Sequence, residues 1–371
     1  MDVSVPPPGA GLSYARVGVD TAAASHALAG LLRWVDATFA LRPDTVRLPN
    51  GYFANVVAVG ANLGVAISTD GVGTKLLVAQ QLGKYDTVGI DCVAMNVNDV
   101  LCVGAEPVAL VDYVAVERPD PAMLEALGRG LYAGAQEARV VIPGGELAQV
   151  PELLRGQRAG RGFDLVGTAI GVVALDRILV GQDIADGDVV VGLASSGIHS
   201  NGLTLARRAL VGDDPQRLHT YLPELGRTLG EELLEPTRIY VRPVLAMLAA
   251  HLPLKALVHI TGDGLFNLSR VAAPVSFRLE RLPPVPPIFT LIQQRGAIDT
   301  AEMYRVFNMG VGFCVVVAPE GVQDVLAIAA EHGVAAWHLG HARADGRRRL
   351  ELPTLGLVGE GGVFRPAHAA S

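Results

Sequence analysis

The chain is poor in several things that particular functions need. Aromatic residues make up 5% of its 371 positions and charged residues 18%, and the 30 basic side chains are outnumbered by 37 acidic ones for a net charge of −7. Nothing in that balance suggests a surface for nucleic acid. Cys92, Cys102 and Cys314 are the only cysteines. Their odd count and lack of CxxC spacing are the usage of a reduced compartment, so buried thiols and a cytoplasmic setting are expected. No apolar run approaches the roughly eighteen residues of a membrane span, and residues 1–8 have no basic stretch ahead of an apolar one, so neither span nor leader is expected. Walker A and GxGxxG spacings are missing, as is any evident Ser-His-Asp or Cys-His constellation.

Half of the residues are hydrophobic, and 43 glycines and 23 prolines are spread along the chain rather than massed in a tract. That composition supports a large core cut by many tight turns. A length of 371 residues exceeds one ordinary core, so two domains are expected. The pattern lapses at Arg155-Gly156-Gln157-Arg158-Ala159-Gly160-Arg161-Gly162, which divides the chain into residues 1–162 and 163–371.

Residues 21–39 read as an amphipathic helix, and residues 52–59 and 63–68 as two strands joined at Gly60-Ala61-Asn62. The apolar run 63–67 ends in Ser68-Thr69-Asp70-Gly71-Val72-Gly73-Thr74-Lys75, after which residues 76–82 are helical. Glycines at a strand-to-helix turn leave amides free beside a helix start, which favours an anion. Asp70 would offer oxygen to Mg²⁺, Lys75 a point charge, and Gly71, Gly73 and Thr74 their amides. An ordinary Asp-Gly turn is the plainer alternative.

A second acidic group follows in Gly89-Ile90-Asp91-Cys92-Val93-Ala94-Met95-Asn96-Val97-Asn98-Asp99. Asp91 and Asp99 stand about two helical turns apart on roughly one side, with Asn96 between them. Either they line the same pocket, or Asp91 caps the helix and Asp99 is solvated. Residues 108–116 read as a strand, 121–137 as a helix and 140–142 as a short strand running into Pro143-Gly144-Gly145-Glu146. That last group is either a simple turn or a close approach of backbone to phosphate at Gly145, with Glu146 as another oxygen ligand.

Residues 165–173 and 189–193 read as strands of the second domain. The latter enters Ala194-Ser195-Ser196-Gly197-Ile198-His199-Ser200-Asn201-Gly202 ahead of a helix at 203–210. Hydroxyls, amides and one imidazole there can form an anion pocket, or Ser200 or Asn201 can simply cap the helix. The other eight histidines look isolated. A helix over 236–251, a strand over 256–260, an extended Pro283–Pro287 connector, a strand over 311–317, a helix over 321–332 and a strand over 335–339 complete the pattern.

The chain resembles the aminoimidazole ribonucleotide synthetases, the phosphoribosylformylglycinamidine cyclo-ligases of purine biosynthesis. The resemblance is carried by residues 68–75 and 86–99, Gly104-Ala105-Glu106-Pro107, Asp112-Tyr113, Pro143 to Glu146, Gly192 to Gly202, His259-Ile260-Thr261-Gly262, Pro286-Pro287-Ile288-Phe289 and Met303 to Gly310. It implies a two-domain α+β fold, and a homodimer whose amino-terminal strands join in a β-barrel. It also implies ATP-dependent closure of formylglycinamidine ribonucleotide, with Mg²⁺ held by Asp70, Asp99 and Glu146. Lys75, Asp91 and His199 would serve catalysis. Gly71, Gly73, Thr74, Asn96 and Gly145 would meet the nucleotide, and Ser195, Ser196, Gly197, Ser200 and Asn201 the ribose 5-phosphate.

Three departures mark the chain out. Leu48 to Asn55 holds one glycine where the family has a glycine-rich stretch, and Leu147-Ala148-Gln149-Val150-Pro151 stands where the family has Thr-Ala-Glu-Met-Pro. Gly262-Asp263-Gly264-Leu265 replaces a glycine triplet. The related thiamine-monophosphate kinases carry a metal-binding Asp at what looks like that turn, so Asp263 is either a further metal ligand or an Asx-turn. A small-molecule phosphotransferase and a non-catalytic nucleotide-binding relative are the alternative functions.

Overall fold

The structure, a computed structural model, describes residues 11–367. Its first half is a mixed sheet covered on one face by helices. The helix α1 (Thr21–Ala37) precedes the hairpin β1 (Asn55–Ala58) and β2 (Gly64–Gly71). After these come α2 (Lys75–Leu82), α3 (Asp86–Leu101), β3 (Glu106–Val116), α4 (Pro121–Ala138), β4 (Val141–Gln149) and β5 (Phe163–Val173). The strand order is β1-β2-β5-β3-β4, antiparallel except for β3 and β4, which α4 joins in parallel. Side chains alternate along β5, with Phe163, Leu165 and Ala169 buried, as a sheet with one covered face requires.

The covering helices lie close because glycines meet where they cross. A Cβ on Gly130 would stand 1.8 Å from the Asp86 carbonyl oxygen, and one on Gly89 would stand 2.6 Å from the Leu127 oxygen. The other face of the sheet is open. Ile67 is 40% and Tyr113 41% exposed, and the half-buried Val57, Val65, Val166, Ile170 and Val172 share that face with them.

In the second half, eight strands run in the order Val363–Pro366, Leu357–Glu360, Leu350–Leu352, Ser276–Leu279, Ala336–Arg343, Val189–Ala194, Val311–Val317 and Leu254–His259. The penultimate strand Val311–Val317 is buried along its whole length, the mark of a strand covered on both faces. A helix at Leu203–Leu210 follows Val189–Ala194 across the Ser195–Gly202 turn. The α+β architecture agrees with the sequence expectation.

Three local expectations are corrected. Pro143-Gly144-Gly145-Glu146 is not a turn, because β4 runs through it and pairs with β3 from Ala109↔Val141 to Val116↔Gln149. Proline is tolerated there because β4 is an edge strand. The division after Gly162 cuts across a sheet, since β5 sits between β2 and β3; we propose the boundary within residues 174–188. The helix expected over 236–251 spans only Val241–Ala249.

Substituting Gly130→Ala adds a methyl against backbone that cannot yield. The clash outweighs the gain of about 1 kcal/mol in helix propensity, and a net loss of about 1–3 kcal/mol is expected in urea unfolding.

Candidate active site at the seam between the halves

Helix α3 belongs to the first half but carries polar groups that engage the second. Asn98 donates from Nδ2 to the Arg238 carbonyl at 2.8 Å and accepts from the Tyr240 amide at 3.0 Å. Cys102 Sγ accepts from the His259 amide at 3.2 Å. The helix is apolar enough to bury almost entirely, so each polar group on it needs a partner.

Near its start lies a buried ion pair. Lys75 Nζ stands 2.9 Å from the Asp91 carboxylate, and both side chains are fully shielded from solvent. Lys75 also donates to the Glu235 carbonyl. Asp91 accepts from the Thr237 amide and hydroxyl at 2.7 Å each and from Ser200 Oγ at 3.1 Å. This overturns the expectation that Lys75 and Asp91 face a phosphate: they are sealed between the halves and hold them together.

The Ser195–Gly202 turn is corrected on the same ground. Ser200 is spent on Asp91 and Thr237, and Ser196 Oγ donates to the Pro236 carbonyl. His199 is buried in a left-handed conformation with φ of 67°, an unfavourable one for a side-chain-bearing residue. Its Nε2 accepts from the Ser196 amide at 3.2 Å, so the neutral ring carries its proton on Nδ1, which has no partner within the described residues. Burial holds its pKa well below the usual histidine range, so it does not take up a proton near neutral pH. Gly197 is buried beside Glu235; Asn201 Oδ1 faces Gly262.

A second cluster lies toward the end of α3. Asp99 Oδ1 stands 2.8 Å from His259 Nδ1 across the seam, and Ser68 Oγ stands 3.4 Å from the other Asp99 oxygen. Asp70 follows two residues on along β2 and so faces the same side. Burial and the Asp99 charge raise its pKa to about 6. Asp112 shares that sheet row, since Asp70 pairs with Gly167 and Gly167 with Asp112; burial raises its pKa too. Asn96 does not point into a pocket: its Nδ2 donates to the Cys92 and Asp70 carbonyls at 2.8 and 3.2 Å, bracing β2. The turn after β2 has Gly73 at a φ of 72°, but Gly71 is still strand and its amide donates to Asp70 Oδ1 at 2.8 Å, so it is not free for phosphate. The amides of Gly73 and Thr74 make no backbone hydrogen bond among the described residues.

Two expected metal ligands are not gathered here. Glu146 lies opposite Tyr113 in the sheet register, one residue out of step with Asp112 and therefore on the open face. Asp263 is exposed and pairs with Arg270 at 2.7 Å. Gly145 lies opposite Asp112, whose carboxylate a Cβ would meet at 2.6 Å. Among the described residues no group of three or more His, Cys, Asp or Glu side chains forms a metal cluster. Asp70 and Asp99 nonetheless fit a magnesium ion completed by phosphate and water, because two close carboxylates whose charges oppose one another are relieved by a dication. His259 and Asp112 escaped the sequence reading. The alternation of residues 106–116 placed Asp112 between the inward Leu110 and Val114, but nothing in sequence brought His259 to α3.

The chain matches the family model described as AIR synthase related protein, N-terminal domain, over residues 52–173, and the corresponding C-terminal domain over residues 185–353. It belongs to the AIR synthase-related family. Within that family it is 51% identical over 278 residues to a phosphoribosylformylglycinamidine cyclo-ligase of Methanothermobacter thermautotrophicus, covering 75% of this chain and 80% of the relative. The Thermococcus kodakarensis enzyme of the same name is 48% identical over 343 residues, 92% of this chain and 98% of the relative. A solved thiamine-monophosphate kinase from Stenotrophomonas maltophilia superposes with a TM-score of 0.55 at 19% identity, covering 88% of this chain and 95% of that one. That likeness shows the shared fold alone.

Lys75→Met strands Asp91 without its cation in a dry interior and should lower unfolding free energy by about 3–5 kcal/mol in urea titration. Asp70 gives a pH test. Its folded-state pKa is raised, so its contribution to stability is present below about pH 4 and is lost as pH rises through about 6. Asp70→Asn should therefore melt higher than the parent at pH 7.5, by on the order of 2 kcal/mol, with the gap closing at pH 4.

Proposed function

We propose that the chain closes formylglycinamidine ribonucleotide to aminoimidazole ribonucleotide, consuming ATP and releasing ADP and phosphate. The observation that carries this reading is identity of 48% to a cyclo-ligase across 92% of this chain. The formyl amide oxygen is a poor leaving group. Transfer of the γ-phosphoryl group to it creates a good one, and the amidine nitrogen of the same molecule then attacks that carbon, expelling phosphate. Both steps need positioning and charge neutralisation more than a protein nucleophile, in keeping with a seam of carboxylates and free amides.

Asp70 and Asp99 hold Mg²⁺ in this reading, and the ion when bound offsets charge on the phosphate oxygens. His259 fixes the orientation of Asp99 through its 2.8 Å contact, as partners of metal-binding carboxylates do. The amides of Gly73 and Thr74 face the transferring phosphate at the start of α2. Lys75 and Asp91 act one step removed, by holding the Ser200 and Thr237 segments against α3. The kinase-like alternative drew on Asp263 as a metal ligand, and its pairing with Arg270 gives that alternative no support.

The chain acts as a homodimer in this reading, its open sheet face covered by the same face of a second copy in a shared barrel. The exposed strip containing Ile67 and Tyr113 is the surface that the same strip of a second copy would cover under two-fold symmetry. No helix among the described residues is long and apolar enough to cross a membrane. We place the reaction in the cytoplasm, in keeping with three free, buried cysteines.

Incubation with formylglycinamidine ribonucleotide and Mg-ATP should yield the aminoimidazole product with equimolar ADP, and ADP release without an imidazole would refute the assignment. Asp99→Asn should lower kcat/KM roughly hundred-fold or more. Introducing a charge on the open face by Ile67→Asp should shift the light-scattering mass from two chains toward one.

A further inference from the structure

With Lys75 sealed inside and Ser196 and Ser200 bonded inward, the sequence candidates leave a phosphorylated ligand few cations. The structure offers others. A pocket of about 550 Å³ is lined by Asp263, Phe266, Arg270, Arg305 and Arg348, a size suited to small ligands.

Each guanidinium there is held in place and has N–H groups with no hydrogen-bond acceptor among the described residues. Arg270 donates one terminal nitrogen to Asp263 at 2.7 Å, and its carbon lies 4.9 Å from the centre of the Phe53 ring. Arg305 spends Nε and one terminal nitrogen on Glu302 at 2.7 and 2.8 Å. Arg348 donates to the Val271 and Ala272 carbonyls at 2.9 and 2.8 Å. Three permanent positive charges meet the two carboxylates of Asp263 and Glu302, which leaves one in excess. Guanidiniums fixed in this way suit the planar, multidentate recognition of phosphate.

The pocket also adjoins the seam. Asn201, at the end of the serine-rich turn, lies 3.2 Å from where a Cβ on Gly262 would stand, next to Asp263. Tyr14 links the same parts, its hydroxyl accepting from the Gly202 amide at 2.9 Å and its own amide donating to Glu302 at 2.8 Å.

We propose that this pocket binds a phosphate group of one of the two phosphorylated reactants, with Arg270 and Arg305 as its principal donors and Asp263 as a built-in competitor for Arg270. The proposal rests on the cyclo-ligase reading for the identity of those reactants, the nucleotide and the ribonucleotide, and its chemistry is common to both.

Calorimetric titration of the full chain with Mg-ADP and, separately, with ribose 5-phosphate tests it without turnover. Arg270→Gln should weaken one of the two ligands about ten-fold or more, Arg270→Lys should restore part of that loss, and Asp263→Asn should tighten the same ligand several-fold. The ligand that moves identifies the source of the phosphate. If Arg270→Gln melts below the assay temperature, Asp263→Asn alone decides. Unchanged affinity for both ligands in the folded variants overturns the proposal, while the product assay on the parent chain reports separately on the cyclisation.

Discussion

The buried pair of Lys75 and Asp91 is the constraint on which the rest depends. Two opposite charges taken fully out of water are tolerable only with further hydrogen bonds to support them. Here Ser200 and Thr237 donate to one oxygen of Asp91 and the Glu235 carbonyl accepts from Lys75, all from the second half of the chain. The halves cannot part without stripping these hydrogen bonds from both charges, so the pair sets their register.

That register in turn builds the candidate site. The strand β2 carries Asp70 just before its last residue, and α3 brings Asp99 to it from the same half. His259 arrives from the far sheet only because the seam is closed. Asp70 is held where its charged form is disfavoured by burial and by Asp99. Such a conflict between like charges is unhelpful for folding and useful for gripping a dication. The close packing at Gly312 serves the same seam: a Cβ there would meet the Tyr240 hydroxyl at 2.1 Å and His199 at 2.4 Å, so bare backbone lets the second sheet press against the serine-rich turn.

Much of the architecture was legible because its signals are local. The helix at 203–210, the strand at 311–317 and the strand-to-helix turn at Gly71 to Thr74 follow from periodicity and glycine placement. The reading failed where local appearance and tertiary role diverge. Pro143-Gly144-Gly145 looks like a turn, but the edge of a sheet accommodates it as strand. Arg155 to Gly162 looks like a linker, but it is a loop returning the chain to the middle of its own sheet. Lys75 and Asp91 look like solvent-facing chemistry because charge is rarely buried, and only a partner from far along the chain permits it.

The sequence by itself determined the family, the α+β composition and the two carboxylates, Asp70 and Asp99, that stand together at the seam, because these depend on residue types at short spacing. The tertiary structure alone decided which charges are spent inside and which remain for ligands. It turned Lys75, Asp91, Ser200 and His199 inward, set Glu146 on the opposite face, paired Asp263 with Arg270 and brought His259 to Asp99. The physical reason is that burial and charge pairing are properties of the closed interface between two distant segments, and neither segment carries that information alone.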